Sequence, residues 1–205
     1  MNTQKTDMPL PLDGAVELLA AKAPAQQNNL PPDAMADLAA GRAKLILLTR
    51  GRSAVVDADD YAVLAVFTWF FEKGYAVRTV WRRLGSPVNG KRQRHSRKVF
   101  MHRIIAGTPN GLQTDHINGD KLNDRRVNLR WATAAENQWN AGRRKDNSTG
   151  FKGVVVHKRD SNFQAIIRVN GRRIHIGYFP DPESASIAYQ QAASQIHGEF
   201  WRQKA

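Results

Sequence analysis

The sequence predicts an α+β protein with a small ββα unit followed by a three-stranded sheet that carries one helix. Three observations lead there. Residues Asp115 to Gly142 run as a strand end, a turn-rich loop, a second strand and a helix closed by glycine. Residues Gly153 to Tyr178 hold three candidate strands, and the segment after them has the best-formed helical pattern in the chain. A length of 205 residues suits two small domains, each with a modest apolar core.

Taken in order, residues 1–42 read as a poorly ordered arm, rich in Ala, Pro, Gln and Asn, with one short candidate helix from Gly14 to Lys22 before Pro24 and the Pro31-Pro32 pair. Residues 43–142 then form the first domain. Leu45 to Leu48 and Ala54 to Asp57 are apolar runs around a Thr49-Arg50-Gly51 turn, hence two short strands. Asp57 to Asp60 can cap a helix reaching Phe67. Tyr75 to Trp81 alternates as a half-exposed strand does, and Lys91 to Lys98 reads as a basic loop. Val99 to Ala106 sets Phe100, Ile104 and Ile105 on one helical face before Gly107. The ββα unit follows, with Asn118-Gly119-Asp120 as its turn, Leu129 to Thr133 as its second strand and Ala134 to Ala141 as its helix.

A basic linker, Arg143 to Gly150, leads into the second domain, residues 148–202. Its strands lie near Gly153 to Lys158, Phe163 to Val169 and Arg173 to Tyr178, with Asn170-Gly171 as the hairpin turn between the last two. Asp181 is placed to N-cap the final helix, Pro182 suits its first turn, and Gly198 ends it. Ala185, Ala188, Tyr189, Ala192, Ala193 and Ile196 make the stripe that must cover the sheet.

Thirty-one Lys and Arg against eighteen Asp and Glu give a net charge of +13. Residues 1–40 contribute two basic and five acidic residues, so the positive excess lies beyond them. From Lys73 to Thr114 there are ten basic residues and no acid. Such a surface calls for a polyanion that releases counterions on contact. A membrane surface is disfavoured, because Gly85, Pro87 and Gly90 break any amphipathic helix there, and no apolar run has the roughly 18 residues a bilayer span needs. No cysteine is present, so the chain has no disulfide partner and no thiolate metal site, which suits a reducing cytoplasm.

Phosphodiester hydrolysis needs an activated water, charge stabilisation on the phosphate and protection of the leaving oxygen. The ββα unit supplies residues for each. Asp115 and His116 are neighbours whose side chains point oppositely on an extended backbone, so one can hold a metal while the other faces water. Asn137, on the helix behind, can add an amide oxygen. An all-oxygen shell of this kind favours one divalent cation, Mg2+ or Mn2+, over zinc. Neutral His116 is then the general base, with Asn128 tying the loop that aims it. Arg125, Arg126 and Arg130 are candidate phosphate contacts, although any of them could brace a carboxylate such as Asp120 or Asp124 instead.

The segments D-H-I-N-G-D (Asp115 to Asp120), N-D-R-R-V-N-L-R-W (Asn123 to Trp131) and E-N-Q-W-N (Glu136 to Asn140) resemble the phage-type homing subgroup of HNH endonucleases. The spacing of twelve residues from His116 to Asn128 and nine more to Asn137 fits that motif. The resemblance implies Asp115 and Asn137 as metal ligands, His116 as general base and Asn128 as a structural asparagine. His102-Arg103 is similar to a segment that precedes the motif in this subgroup, which makes His102 an accessory candidate beside Asn140. Asn137 stands where many HNH proteins carry a second histidine.

Residues 148–202 resemble an AP2 DNA-binding domain, on S-T-G-F-K-G-V (Ser148 to Val154), F-Q-A-I-I (Phe163 to Ile167), I-G-Y-F (Ile176 to Phe179) and S-A-S-I-A-Y (Ser184 to Tyr189). The resemblance implies a sheet lying on DNA, with Lys152, His157, Lys158, Arg159, Arg168, Arg172 and Arg173 as contacts. Val155 replaces an arginine of the plant members, so phosphate binding is the contact it implies. Together the readings predict a double-stranded DNA endonuclease, phage or prophage encoded and acting in the cytoplasm of a bacterial host. The competing reading is a non-cleaving AP2-type regulator with a degenerate HNH unit. The intact set of Asp115, His116, Asn128 and Asn137 argues against it.

Overall fold

A computed structural model describes residues 30–88, 91–157 and 159–202. The candidate helix Gly14 to Lys22 lies outside them. The first element, helix α1 (Pro32–Ala39), falls within the segment expected to be a loose arm. It is docked instead. Ala34 is fully buried, and Asp33 and Asp37 both pair with the guanidinium of Arg125. A composition rich in Ala and Pro hid these two carboxylates, whose partner lies about ninety residues away.

Strands β1 (Ala43–Leu47) and β2 (Ser53–Asp57) form an antiparallel hairpin, and helix α2 (Ala58–Ala65) follows. Alternation along β1 and β2 sends Ile46, Ala54 and Val56 into one apolar cluster with Leu48, Leu64, Trp69, Ala76, Met101 and Ile105. Three strands come next: β3 (Phe70–Glu72), β4 (Tyr75–Val88) and β5 (Lys91–Phe100), in the order β3-β4-β5. The basic loop expected at Lys91 to Lys98 is thus corrected to a strand. Its partner β4 supplies a ladder from Val77↔Phe100 to Leu84↔Gln93, and those backbone bonds outweigh the weak strand preference of Lys and Arg.

Helix α3 (Met101–Ile105) leads to the ββα unit: β6 (Gln113–His116), β7 (Leu129–Ala132) and α4 (Ala134–Asn140). Thr133 and Glu136 cap α4 reciprocally, each side chain accepting the other's backbone N–H. The loop between β6 and β7 is not free. Its Leu122 and Asp124 exchange backbone hydrogen bonds with Val55 at 2.8 Å each, so the N-terminal hairpin fixes the loop that carries Asp124.

The C-terminal unit has strands β8 (Val154–Val156), β9 (Phe163–Val169) and β10 (Arg172–Phe179), ordered β10-β9-β8, and helix α5 (Pro182–His197). Asn170 and Gly171 both take positive φ, 49° and 78°, as a tight two-residue hairpin turn requires. Asp181 caps α5 by accepting from Ser184 N at 2.7 Å. Ala185, Tyr189 and Ala193 of α5 close over Val154, Ala165 and Ile167, a second apolar cluster separate from the first.

Candidate active site

Strand β6 carries two different environments on its two faces. Its register with β7 pairs Asp115 with Arg130 and His116 with Leu129. Asp115 and His116 are both buried, at 4% and 5% exposure.

On the Asp115 face, helix α4 lies across the strand. Asn140 Nδ2 donates to Asp115 Oδ1 at 2.8 Å and to the His116 carbonyl at 2.8 Å. Arg130 Nε donates to Asp115 Oδ2 at 2.9 Å. Asn140 Oδ1 is buried and has no partner. The Asp115 carboxylate and the orphaned Asn140 oxygen are ligands of the type a hard divalent cation takes, and the residues fit such a cation with the amide turned to present Oδ1 in place of Nδ2.

Asn137, expected as the second ligand, makes no hydrogen bond to Asp115. Its Nδ2 donates to Gln113 Oε1 at 2.5 Å. Gln113 and Asp115 share one strand face two residues apart, and Asn137 and Asn140 share one helix face three residues apart. The crossing of α4 over β6 sets Asn137 opposite Gln113 and Asn140 opposite Asp115. Asn140, rather than Asn137, is therefore the side chain in contact with Asp115.

On the other face, His116 Nε2 lies 2.8 Å from Asp124 Oδ1, with Asp124 wholly buried. Burial pushes the Asp124 carboxyl up, and the bond to His116 opposes that shift. His102 stands edge-on to His116, with ring centroids 5.0 Å apart, and Tyr75 packs on both rings. Burial pushes the His102 imidazole down to about 3, with the neighbouring His116 adding to the effect. His102 Nδ1 and Asp124 Oδ2 have no partner. His102, His116 and Asp124 also bring ligand-type atoms within 4.8 Å of one another, a second group among the described residues that could hold a metal.

Asn128 spans the loop between the two strands. Its Oδ1 accepts from Asn118 N at 2.9 Å, its Nδ2 donates to the Asn123 carbonyl at 2.8 Å, and its own carbonyl accepts from Ile117 N. Asn118 and Asp120 add local turns by accepting from Asp120 N and Leu122 N. One buried amide thus holds together both ends of the segment that carries Asp124.

Residues 99–139 match the family model described as HNH endonuclease. A protein of Acanthamoeba polyphaga mimivirus, described as an uncharacterized HNH endonuclease, is 31% identical over 159 residues, covering 75% of this chain and 76% of the viral protein. The chain belongs to the HNH endonuclease family. Protein 3.8 of Escherichia phage T7 is 32% identical over 94 residues, which span 46% of this HNH endonuclease and 77% of the phage protein. No solved structure matches it.

Several residues read from sequence as DNA contacts of the HNH endonuclease have other work. Arg125 is 1% exposed and is held by Asn123, Asp33 and Asp37, so it is corrected to a structural residue. Arg126 forks onto Asp60, with bonds of 2.9 and 2.6 Å. Arg130 serves Asp115. Lys152 points away from the sheet and donates to the carbonyls of Trp139 at 2.5 Å and Ala141 at 2.6 Å, covering the C-terminal end of α4. Burial lowers its ammonium to about 8. His157 is half-buried beside Asp160, 3.3 Å away. Lys158 lies outside the described residues. Arg159, Arg168, Arg172 and Arg173 are exposed. Sequence reasoning missed Asp124 as the partner of His116, because eight residues and a loop separate them. The signal was an acid inside the motif with no turn or cap to serve.

Proposed function

We propose that this HNH endonuclease hydrolyses phosphodiester bonds of double-stranded DNA with one divalent cation, Mg2+ or Mn2+, held by Asp115 and Asn140. The observation that carries the reading is the contact of a buried carboxylate with a buried amide whose oxygen lacks any partner. When bound, the cation polarises the phosphate and stabilises the departing oxygen. The oxygen-only character of this pair favours it over the histidine-rich group, which would use up His116. His116 is the general base. Asp124 accepts from Nε2–H, which leaves Nδ1 as the nitrogen with a lone pair to take the proton of the attacking water. Arg130 neutralises Asp115 and borders the phosphate site.

We further assign DNA binding to two basic surfaces. One is the β4–β5 ribbon, whose pairs include Val80↔Arg97 and Arg82↔His95. A two-stranded ribbon fits the major groove. The other is the C-terminal sheet, read as AP2-like, spanning residues 148–202 beside a nuclease domain of residues 43–142. Helix α5 covers one face of the sheet and leaves Arg168 and Arg173 directly opposite each other across β9 and β10, both exposed. Like charges so placed cost stability unless an anion lies between them. An open cleft of about 1090 Å³, lined in part by Arg143, Arg168 and Arg173, separates this sheet from α4. The viral relatives support a viral, phage or prophage, origin. A homing role and action in the host cytoplasm are part of the same proposal.

Incubation of the protein with supercoiled plasmid and magnesium tests the reading. Open-circle or linear product that disappears with EDTA and with His116→Ala is expected. Equal cutting by wild type and His116→Ala would remove His116 from the chemistry. Tight DNA binding with no cutting in any divalent metal would favour the non-cleaving regulator.

A further inference from the structure

Residues 198–202, which follow α5, do not leave the molecule. They cross onto the nuclease face that holds Asp115. His197, the last residue of α5, stacks on Trp139 of α4 at 4.2 Å between centroids and 15° between planes. The carbonyl of Glu199 accepts from Arg130 Nη1 at 2.6 Å, and the Phe200 ring lies under the Arg130 guanidinium at 4.2 Å. Arg202 then reaches the turn after β6. Gly119 there takes φ 71°, and a Cβ on it would overlap both terminal nitrogens of Arg202, so the guanidinium rests directly on the loop backbone.

Charge makes this placement informative. Arg130 already pairs with Asp115. Among the described residues no carboxylate lies within ion-pair distance of Arg202, and its Nε is buried without a partner. Burial pulls the Arg202 guanidinium down, Asp115 pulls it up, and Arg130 pulls it down again, so the two arginines and the carboxylate feel one another. Two guanidinium groups near one carboxylate that pairs with only one of them, in a chain of net charge +13, repel each other. Such an arrangement persists where an anion completes it. Guanidinium donors match phosphate oxygens in a planar fork, and the edge of the Asp115–Asn140 pair is where the scissile phosphate must come.

We propose that Arg202, delivered by the C-terminal segment, is a catalytic residue of the nuclease site that binds the scissile phosphate together with Arg130. The inference rests on the reading of Asp115 and Asn140 as the reaction centre. It makes the second unit part of the active site as well as a DNA grip, because the segment that ends it supplies a group to the reacting phosphate.

The test uses the full chain with Arg202→Ala and Arg202→Lys, each checked for an unchanged melting temperature. Single-turnover nicking of supercoiled plasmid in magnesium is measured at saturating protein, and duplex affinity is measured separately in EDTA. Arg202→Ala is expected to slow nicking by about 100-fold, the scale for removing one charge-stabilising donor, with affinity within about 3-fold of wild type. Arg202→Lys should be intermediate, since it keeps the charge and loses the fork. An unchanged rate overturns the proposal. A faster rate also overturns it and makes the segment an inhibitory latch. If wild type itself does not nick, the nuclease reading has failed. Arg202 is then judged by binding of bis(4-nitrophenyl) phosphate, followed by tryptophan fluorescence. Equal binding by wild type and Arg202→Ala overturns the phosphate contact, and weakened binding by the variant supports it.

Discussion

Asn137 and Asn140 stand one helical turn apart in the same motif, and only one of them touches Asp115. Asn140→Ala is therefore expected to lower the single-turnover rate by about 100-fold or more, with partial recovery in excess manganese. Asn137→Ala, which breaks a bond to Gln113, should cost less than about 10-fold by the scale of one neutral hydrogen bond. Plasmid nicking by the two variants side by side decides it, and the reverse order would return the ligand role to Asn137. His102 gives a second expectation, this time for stability. Its imidazole is held neutral down to about pH 3 in the fold, against 6.5 for an ordinary histidine. Below 6.5 the unfolded chain therefore binds a proton that the folded chain refuses. Stability is full above 6.5 and falls as the pH drops toward 3, by about 1.4 kcal/mol per pH unit from this one group. Urea unfolding of wild type and His102→Gln between pH 7 and 5 measures it, and the variant should show the shallower dependence.

At the scale of elements, the ββα unit was the most legible part of the chain. Its turn residues and its order of strand, loop, strand and helix lie within one short stretch, where local patterns are enough to place the elements, although not to say which side chains meet. The final helix was legible for the same reason, since Asp181, Pro182 and an alanine stripe state its start and its buried face. What the sequence did not show are the bonds that long cationic side chains make over large separations. Arg125, Arg126 and Lys152 look like DNA-binding residues in a basic protein, yet each is used within the fold by carboxylates or helix carbonyls. Strand β5 was hidden because its basic residues mask a register visible only once β4 is opposite. Two element-scale outcomes follow. Arg125→Met should lower the melting temperature by several degrees, because it leaves α1 without its anchor, while DNA affinity stays near wild type. The pair Arg168→Ala and Arg173→Ala should do the opposite. The fold should hold, and the slope of log affinity against log salt should become shallower by about 0.9 for each phosphate that the variant no longer neutralises.

Across the whole molecule, the two units are joined by more than the basic linker Arg143 to Gly150. A simple tether would let a chain ending at Asn147 cleave normally once enough protein was added, since only the effective concentration of the second grip would be missing. The structure gives a different expectation. Removing residues 148–205 takes Lys152 from the carbonyls of Trp139 and Ala141, His197 from the face of Trp139, and the Glu199 carbonyl from Arg130. Helix α4 then loses the partners at its C-terminal end, where Asn140 must hold its place on Asp115. The freed Arg130 can swing away from a carboxylate it now orients. The truncated chain should therefore bind DNA more weakly and also show a lower single-turnover rate at saturating protein, by about the 100-fold expected for a misplaced catalytic group. Nicking assays over a protein titration separate the two effects, because a tether changes only the midpoint while a shared site also changes the plateau. A plateau equal to that of the full chain would reduce the docked C-terminal unit to a grip on DNA, and the division of labour would then lie entirely in affinity.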